Sequence, residues 1–262
     1  EHVDQTTTDL DIKSLHQSYH QAQKRLIMLD YDGTLMAFKS SPSHAYPTRK
    51  LKQLIQSLSN DPKNDVVIIS GRDHQTLEKW FKSLNVSLVG DHGLWHKQKG
   101  MDWTKTVSID VSWKQDVKHL LKTYVDRMPG AFIEEKSYSI ALHYRASEPE
   151  MVSLKLNEIK DALFTLKGGS TLEMQEGHKV IEIKDHRVNK GTASRFYSDQ
   201  KDYDFILTAG DDTTDEDLFK VQKSSFSIKI GYGVTHAKHR VDSVEAFKRV
   251  LLGLIQLKGE KK

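Results

Sequence analysis

The chain has 262 residues, 37% of them hydrophobic and 29% charged, which excludes a wholly disordered protein. That length allows one or two domains, with about 70% of the unfolded surface buried on folding. Cysteine is absent, so disulfides, zinc–thiolate sites, iron–sulfur clusters and a thiol nucleophile are excluded. No apolar run nears the ~18–20 residues of a membrane span, and no signal peptide is visible in the sequence. The net charge is only +3, with no basic stripe. Neither nucleic acid nor membrane is expected as a partner, and a soluble protein of a reducing compartment, the cytoplasm, is.

In chain order, residues 1–9 are polar and are expected to fray. Leu10, Leu15, Tyr19 and Ala22 recur at helical spacing over residues 10–25. Leu26 to Leu29 is a continuous apolar run followed by polar residues and a glycine, which predicts a buried parallel strand ending in a loop. Residues 51–61 predict a helix. Residues 65–72 repeat the apolar strand with a small polar loop, and the helix 74–84 follows. Residues 87–95 give a third strand and turn. Strands alternating with helices predict an α/β domain with a mostly parallel sheet.

The middle of the chain changes character. Residues 113–128 predict an amphipathic helix, with Val117, Leu120, Leu121, Tyr124, Val125 and Met128 on one side. Alternation around Tyr138, Ile140, Leu142 and Tyr144 predicts a strand pair with one wet face. A helix over about 148–166 and a broken strand region over 171–184 complete a small α+β unit, residues 109–186. It is inserted in a core made of 1–108 and 187–262. Beyond it the α/β pattern resumes with a helix opening on Asn189, a strand over 204–212, a short helix, a strand over 226–231 and a closing helix over 244–257. The tail after it is basic.

The chemistry-bearing residues fall at strand and helix ends. Asp30-Tyr31-Asp32-Gly33-Thr34 follows the first apolar strand, and open α/β sheets bind ligands beyond the carboxyl ends of their strands. Gly33 allows a tight turn and a close backbone approach to an anion. Asp211, Asp212 and Asp215 follow another apolar strand. Three like charges there repel, and a hard divalent cation such as magnesium would resolve the repulsion. A helix cap on Asp212 or Thr213 is the competing use of these residues. The Ser70 hydroxyl at a third strand end could hold a phosphoryl oxygen. Lys190 opens a helix and adds its charge to an anion-attracting helix end.

The order Asp-x-Asp-Gly-Thr, Ser70, Lys190, Gly-Asp-Asp-x-x-Asp resembles the haloacid dehalogenase superfamily of phosphotransferases over about residues 25–257. The resemblance narrows to the trehalose-6-phosphate phosphatase family through Ile69-Ser70-Gly71-Arg72, Glu134-Glu135-Lys136, Leu142-His143-Tyr144-Arg145 and residues 177–183. Asp91-His92-Gly93 departs mildly from the usual Glu-His-Gly, with the charge kept. The stretch 18–35, in a chain that starts at Glu1, looks like the junction behind an upstream trehalose-phosphate synthase domain.

This resemblance implies a Rossmann-like core with an inserted α+β cap. It implies magnesium-dependent hydrolysis of trehalose 6-phosphate through an aspartyl phosphate. Asp30 would be the nucleophile and Asp32 the general acid and base. Ser70 and Lys190 would hold the phosphoryl group. Magnesium would lie on Asp30, the backbone carbonyl of Asp32 and Asp211, with Asp212 or Asp215 holding its waters. Gly33, Thr34, Gly71, Arg72 and His92 would line the phosphate end, and the cap would read the sugar with Glu134, Lys136, Arg145, Lys179 and Glu182. The competing uses are a sucrose-phosphate or mannosyl-phosphate phosphatase, and a non-catalytic phosphatase-like domain regulating a synthase. Most of the thirteen histidines, His143 and His178 among them, read as surface residues. Trp95, Trp103 and Trp113 read as packing residues, and hinges are expected near 106–110 and 184–189.

Overall fold

A computed structural model describes residues 7–38, 44–167, 170–177, 179–222 and 226–256. His178 and the basic tail lie outside them. The chain divides into two compact units, residues 1–106 with 189–262, and Val107–Val188. Among the described residues no helix is long and apolar enough to cross a membrane.

The first unit is built on β2 (Arg25–Leu29), whose five residues are all buried. Leu26 and Met28 face one helix layer, whereas Ile27 and Leu29 face the other. A strand covered on both faces needs this continuous apolar run. β2 pairs in parallel with β3 (Asn64–Ile69) on one side and β11 (Phe205–Gly210) on the other. From β3 the sheet continues to β4 (Ser87–Gly90). From β11 it continues to β12 (Phe226–Ile230). The chain therefore leaves β2 in one direction and returns on its other side, the arrangement that opens a crevice at the carboxyl ends of the strands.

Helices α1 (Ile12–Gln21), α2 (Arg49–Ser59), α3 (His74–Phe81) and α8 (Val244–Gln256) cover one face through Tyr19, Ile55, Phe81 and Phe247. On the other face, α6 (Lys190–Ser198) and α7 (Thr213–Val221) contribute Ala193, Tyr197 and Leu218. Asn189 caps α6 by accepting from Thr192 N at 2.7 Å.

Four short strands extend this sheet beyond the sequence expectation. β5 (Trp95–Lys97) and β6 (Trp103–Lys105) add an antiparallel hairpin beside β4. β13 (His239–Val241) joins β12 in parallel. β1 (Thr8–Asp9) pairs with β13, so the end expected to fray is held from Thr8 onward. Trp95 stacks on His74, and the Trp103 indole N–H donates to Glu78 at 2.9 Å.

The second unit has a four-stranded antiparallel sheet in the order β7 (Phe132–Glu135), β8 (Ser139–His143), β10 (Val180–Asp185), β9 (Leu172–Gly177). Ile133, Ile140, Leu142, Ile181, Ile183 and Met174 alternate onto the face packed by α4 (Trp113–Val125) and α5 (Pro149–Lys167). The other face carries Glu134, Ser139, His143, Glu182 and Lys184, as period-two alternation requires.

Candidate active site

Four chain segments meet at the carboxyl ends of β2, β3 and β11. Asp30 is the first residue after β2, and its N–H donates to Ala209 O of β11 at 3.0 Å. Its side chain is 5% exposed. Lys190, the first residue of α6, places its ammonium 2.7 Å from Asp30 Oδ1 and 2.7 Å from Asp215 Oδ1. Asp30 Oδ2 is buried without a hydrogen-bond donor. Oxygens of Asp30, Asp211 and Asp215 lie within 4.8 Å of one another.

Burial raises the Asp30 carboxyl well above its usual range, and the Asp215 charge adds to this while Lys190 opposes it. Burial, then Asp215, pushes Asp211 up to about 6. Burial works against the Lys190 charge, but Asp215 and Asp30 outweigh it and hold the ammonium protonated. Three crowded carboxylates with one ammonium leave net negative charge and an unpaired buried oxygen. An all-oxygen donor set of this kind fits a hard divalent cation such as Mg2+.

The loops fold to make this cluster. Gly33 has φ +82°, the left-handed region, and a Cβ there would overlap the Asp211 carboxylate. Thr34 is fully buried and its hydroxyl stands 3.5 Å from Asp211 Oδ1. Asp215, at the third position of α7, accepts from the N–H groups of Asp211 and Asp212, each at 3.0 Å. Asp212 is the N-cap: its carboxylate accepts from Thr213 N at 2.6 Å and Thr213 Oγ1 at 2.9 Å. Of the two expected uses of Asp212, its carboxylate therefore serves the cap, and it is not one of the clustered acids.

Asp32 also stands outside that cluster. Its carboxylate takes two hydrogen bonds from Arg72, 2.6 Å from Nη2 and 2.8 Å from Nε. Those hydrogen bonds raise the guanidinium's affinity for its proton. Arg72 also lies 5.1 Å over the Trp80 ring. The guanidinium placed with the phosphate-lining residues thus grips the second aspartate of the first motif. Ser70 is buried, and its Oγ accepts from Arg72 N at 3.1 Å.

A cavity of about 380 Å³ opens on these groups, lined among others by Asp30, Asp32, Gly71, His92, Lys190 and Asp211. Asp91 and His92 both adopt left-handed backbone, φ 51° and 54°, and Asp91 Oδ2 accepts from His74 N at 3.1 Å. A Cβ at Gly71 would overlap the His92 ring, so the glycine makes room for the imidazole at the cavity wall. Arg72, Asp212 and Thr214 also line it, as do Phe38 and Ala45, which lie outside every motif.

The five sugar-reading candidates lie in the second unit. Glu134 pairs with His143 Nε2 at 2.8 Å, and Lys136 with Glu182 Oε1 at 3.2 Å. Ser139 Oγ donates to the same Glu182 oxygen at 2.5 Å. Arg145 and Lys179 are exposed in turns, Lys179 with φ 63°.

This fold, with its clustered strand-end acids and buried lysine, is that of the haloacid dehalogenase class of phosphatases. The family model described as Trehalose-phosphatase matches residues 28–249, and the chain belongs to that family. A bifunctional trehalose-6-phosphate synthase/phosphatase of Thermoproteus tenax is 35% identical over 244 residues, 93% of this chain and 33% of that protein. A trehalose-phosphatase of Saccharomyces cerevisiae is 34% identical over 238 residues, 82% of this chain and 26% of that protein. The solved C-terminal domain of the C. albicans trehalose-6-phosphate phosphatase is 30% identical with a TM-score of 0.83, covering 96% of this chain and 99% of that one. The chain spans about a third of the length of the curated relatives it matches.

Proposed function

We propose that the chain hydrolyses trehalose 6-phosphate to trehalose and phosphate through a phosphoaspartate on Asp30. The observation that carries this reading is the set of buried Asp30, Lys190 and Asp215 with half-buried Asp211 at the strand ends of a trehalose-phosphatase family member. Asp30 attacks phosphorus, a carboxylate oxygen–phosphorus bond forms, and the bond to the sugar oxygen breaks. Asp32 gives that oxygen its proton. It then takes a proton from the water that attacks the acyl phosphate, so that the carboxylate, phosphate and the original protonation state return. Splitting one hydrolysis into two displacements lowers each barrier, and each assisted proton transfer contributes roughly 10²–10⁴-fold.

Arg72 holds Asp32 as the carboxylate through two hydrogen bonds, the form that takes the proton from water, and the pair must open for Asp32 to carry the proton it gives to the sugar oxygen. Lys190 opposes the rise that burial and Asp215 impose on the Asp30 carboxyl, and it neutralises charge on the transferring group. Asp30, Asp211 and Asp215 would hold Mg2+, with Asp212 beside them at the helix cap. When bound, the ion screens the approach of one anion to another and stabilises the transferring phosphoryl group. Ser70, Gly71 and His92 are assigned to the phosphate end of the cavity. The polar sheet face of the second unit, with Glu134, Lys136 and Glu182, is assigned to the sugar hydroxyls, where unpaired groups reject wrong sugars. The lack of cysteine fits a cytoplasmic enzyme, and the stretch 18–35 fits attachment to an upstream synthase domain.

Phosphate release from trehalose 6-phosphate, sucrose 6-phosphate and a mannosyl phosphate, with Mg2+ and with chelator, tests the reading. Turnover confined to trehalose 6-phosphate with Mg2+, and lost in Asp30→Asn, is expected. Chelator-resistant turnover, or turnover by Asp30→Asn, would refute it.

A further inference from the structure

A lysine inside a buried strand is costly unless its ammonium is fully paired. β12 carries one, Lys229, in the sequence Phe226-Ser227-Ile228-Lys229-Ile230, and it is 6% exposed. Lys229 pairs in register with Gly210, the last residue of β11. From there its Nζ reaches the next residue and donates to Asp211 O at 2.5 Å. Glu216 Oε1 of α7 lies 3.9 Å from the same ammonium.

Glu216 is itself fully engaged. Its carboxylate accepts from Thr235 Oγ1 at 2.8 Å and His236 N at 2.7 Å, with His236 Nδ1 at 3.0 Å. This ties the segment after β12 to the first turn of α7, and it fixes the place of the Lys229 head group. The Asp211 N–H is meanwhile held by Asp215 Oδ2 at 3.0 Å. Both polar groups of the Asp211 main chain are therefore clamped, one by an acid of the cluster and one by Lys229. The side chain starts from this fixed main chain, and its carboxylate lies in the cluster with Asp30 and Asp215.

We infer that Lys229 is a positioning residue that aims Asp211 at the divalent cation. The inference rests on the acid cluster being the cation site of the proposed phosphatase. Lys229 works through the Asp211 carbonyl and touches neither substrate nor ion.

Calorimetric titration with Mg2+ alone, with no substrate, reads the effect directly on wild type, Lys229→Met and Lys229→Arg. Loss of a contact behind a metal ligand typically weakens metal affinity 10–100-fold. Lys229→Met should raise the Mg2+ Kd by at least about tenfold, whereas Lys229→Arg, which keeps a charged donor, should stay within about threefold. If Lys229→Met does not fold, Lys229→Gln, too short to reach the carbonyl, reads the same quantity. A lower melting temperature with an unchanged Kd would make Lys229 a packing residue and overturn the inference. Equal weakening in the Met and Arg variants would also overturn it, because side-chain shape and not the donor would then matter. Absence of Mg2+ binding in wild type would sink the cation-site reading itself, a separate and distinguishable failure.

Discussion

Replacing Lys190 by Met removes the ammonium shared by Asp30 and Asp215, at 2.7 Å from each. The three side chains are 3%, 5% and 0% exposed, so Asp30 is left buried without its ammonium and Asp215 keeps only its two backbone N–H donors. Breaking a buried pair from one side typically costs about 3–5 kcal/mol. The lower end applies here, because the adjoining cavity brings solvent near Asp211. A domain of this size loses about 2–4 °C per kcal/mol, so the metal-free variant should melt about 6–12 °C below wild type near neutral pH. The pH dependence has a definite sign. Asp30 is already raised by burial and by Asp215, and Lys190 is the group that opposes this. A carboxyl whose folded pKa is raised contributes its full stabilisation below the unfolded value, about 3.9, and loses it as pH rises through the folded value. The deficit of Lys190→Met should therefore be larger at about pH 8 than at about pH 5, because the Asp30 charge that Lys190 offsets is lost as pH falls through its raised folded value. The double variant Lys190→Met/Asp30→Asn, which removes one orphaned charge, should recover part of the loss. Thermal melts of the three proteins in chelator at both pH values decide it. A Lys190→Met melt within about 2 °C of wild type at the higher pH, or a deficit of equal size at both, would refute the account.

The same electrostatics predict that Mg2+ raises the wild-type melting temperature more at about pH 7.5 than at about pH 5, since protons compete for Asp30 and for Asp211, whose value is about 6. Scanning calorimetry with and without Mg2+ reads this, and an equal or opposite trend would contradict it. Gly33→Ala places a Cβ on the Asp211 carboxylate at a left-handed position, so calorimetric Mg2+ affinity should fall at least about tenfold. Arg25→Met serves as a control far from the acids. Arg25 is 2% exposed and donates to Asp61 at 2.8 Å, so the variant should lose about 3 kcal/mol in urea melts while the folded fraction keeps wild-type turnover. Lys136→Ala leaves Glu182 without its ammonium, and the Michaelis constant should rise far more for trehalose 6-phosphate than for an aryl phosphate. Equal effects on both would remove Lys136 from sugar recognition.

The large elements were legible because burial on two faces leaves a run of apolar residues that nothing else explains. β2, β3 and β11 all show it, and the helix expected to open on Asn189 does so with the Asn189 cap in place. The elements without a local sequence signal are short and paired by context. β5 and β6 are three residues each, and their two tryptophans are held by His74 and Glu78 of α3. β1 is two residues, and it exists because His239 and Arg240 offer it a partner strand. No local period marks such strands, so only the assembled sheet defines them.

In the site, the motifs located the acids but could not assign their directions. Asp211, Asp212 and Asp215 read alike in sequence, and the start of α7 separates them. With Asp212 as N-cap, its carboxylate turns back onto Thr213 of its own helix. Asp215, three residues on, folds back over the loop N–H groups and meets Lys190. Asp211 precedes the helix, so its own backbone must be held by other groups for its carboxylate to point anywhere in particular. Asp215 supplies one of these and Lys229, 18 residues away, supplies the other. A lysine between two isoleucines of a buried strand is the visible signal for Lys229, since such a charge must have a partner. The Arg72 contact with Asp32 had no comparable signal, because 40 residues separate them and only the pairing of β2 with β3 brings their loops together. The motif residues thus state which charges the site needs, and the pairing of strands decides which oxygen each charge meets.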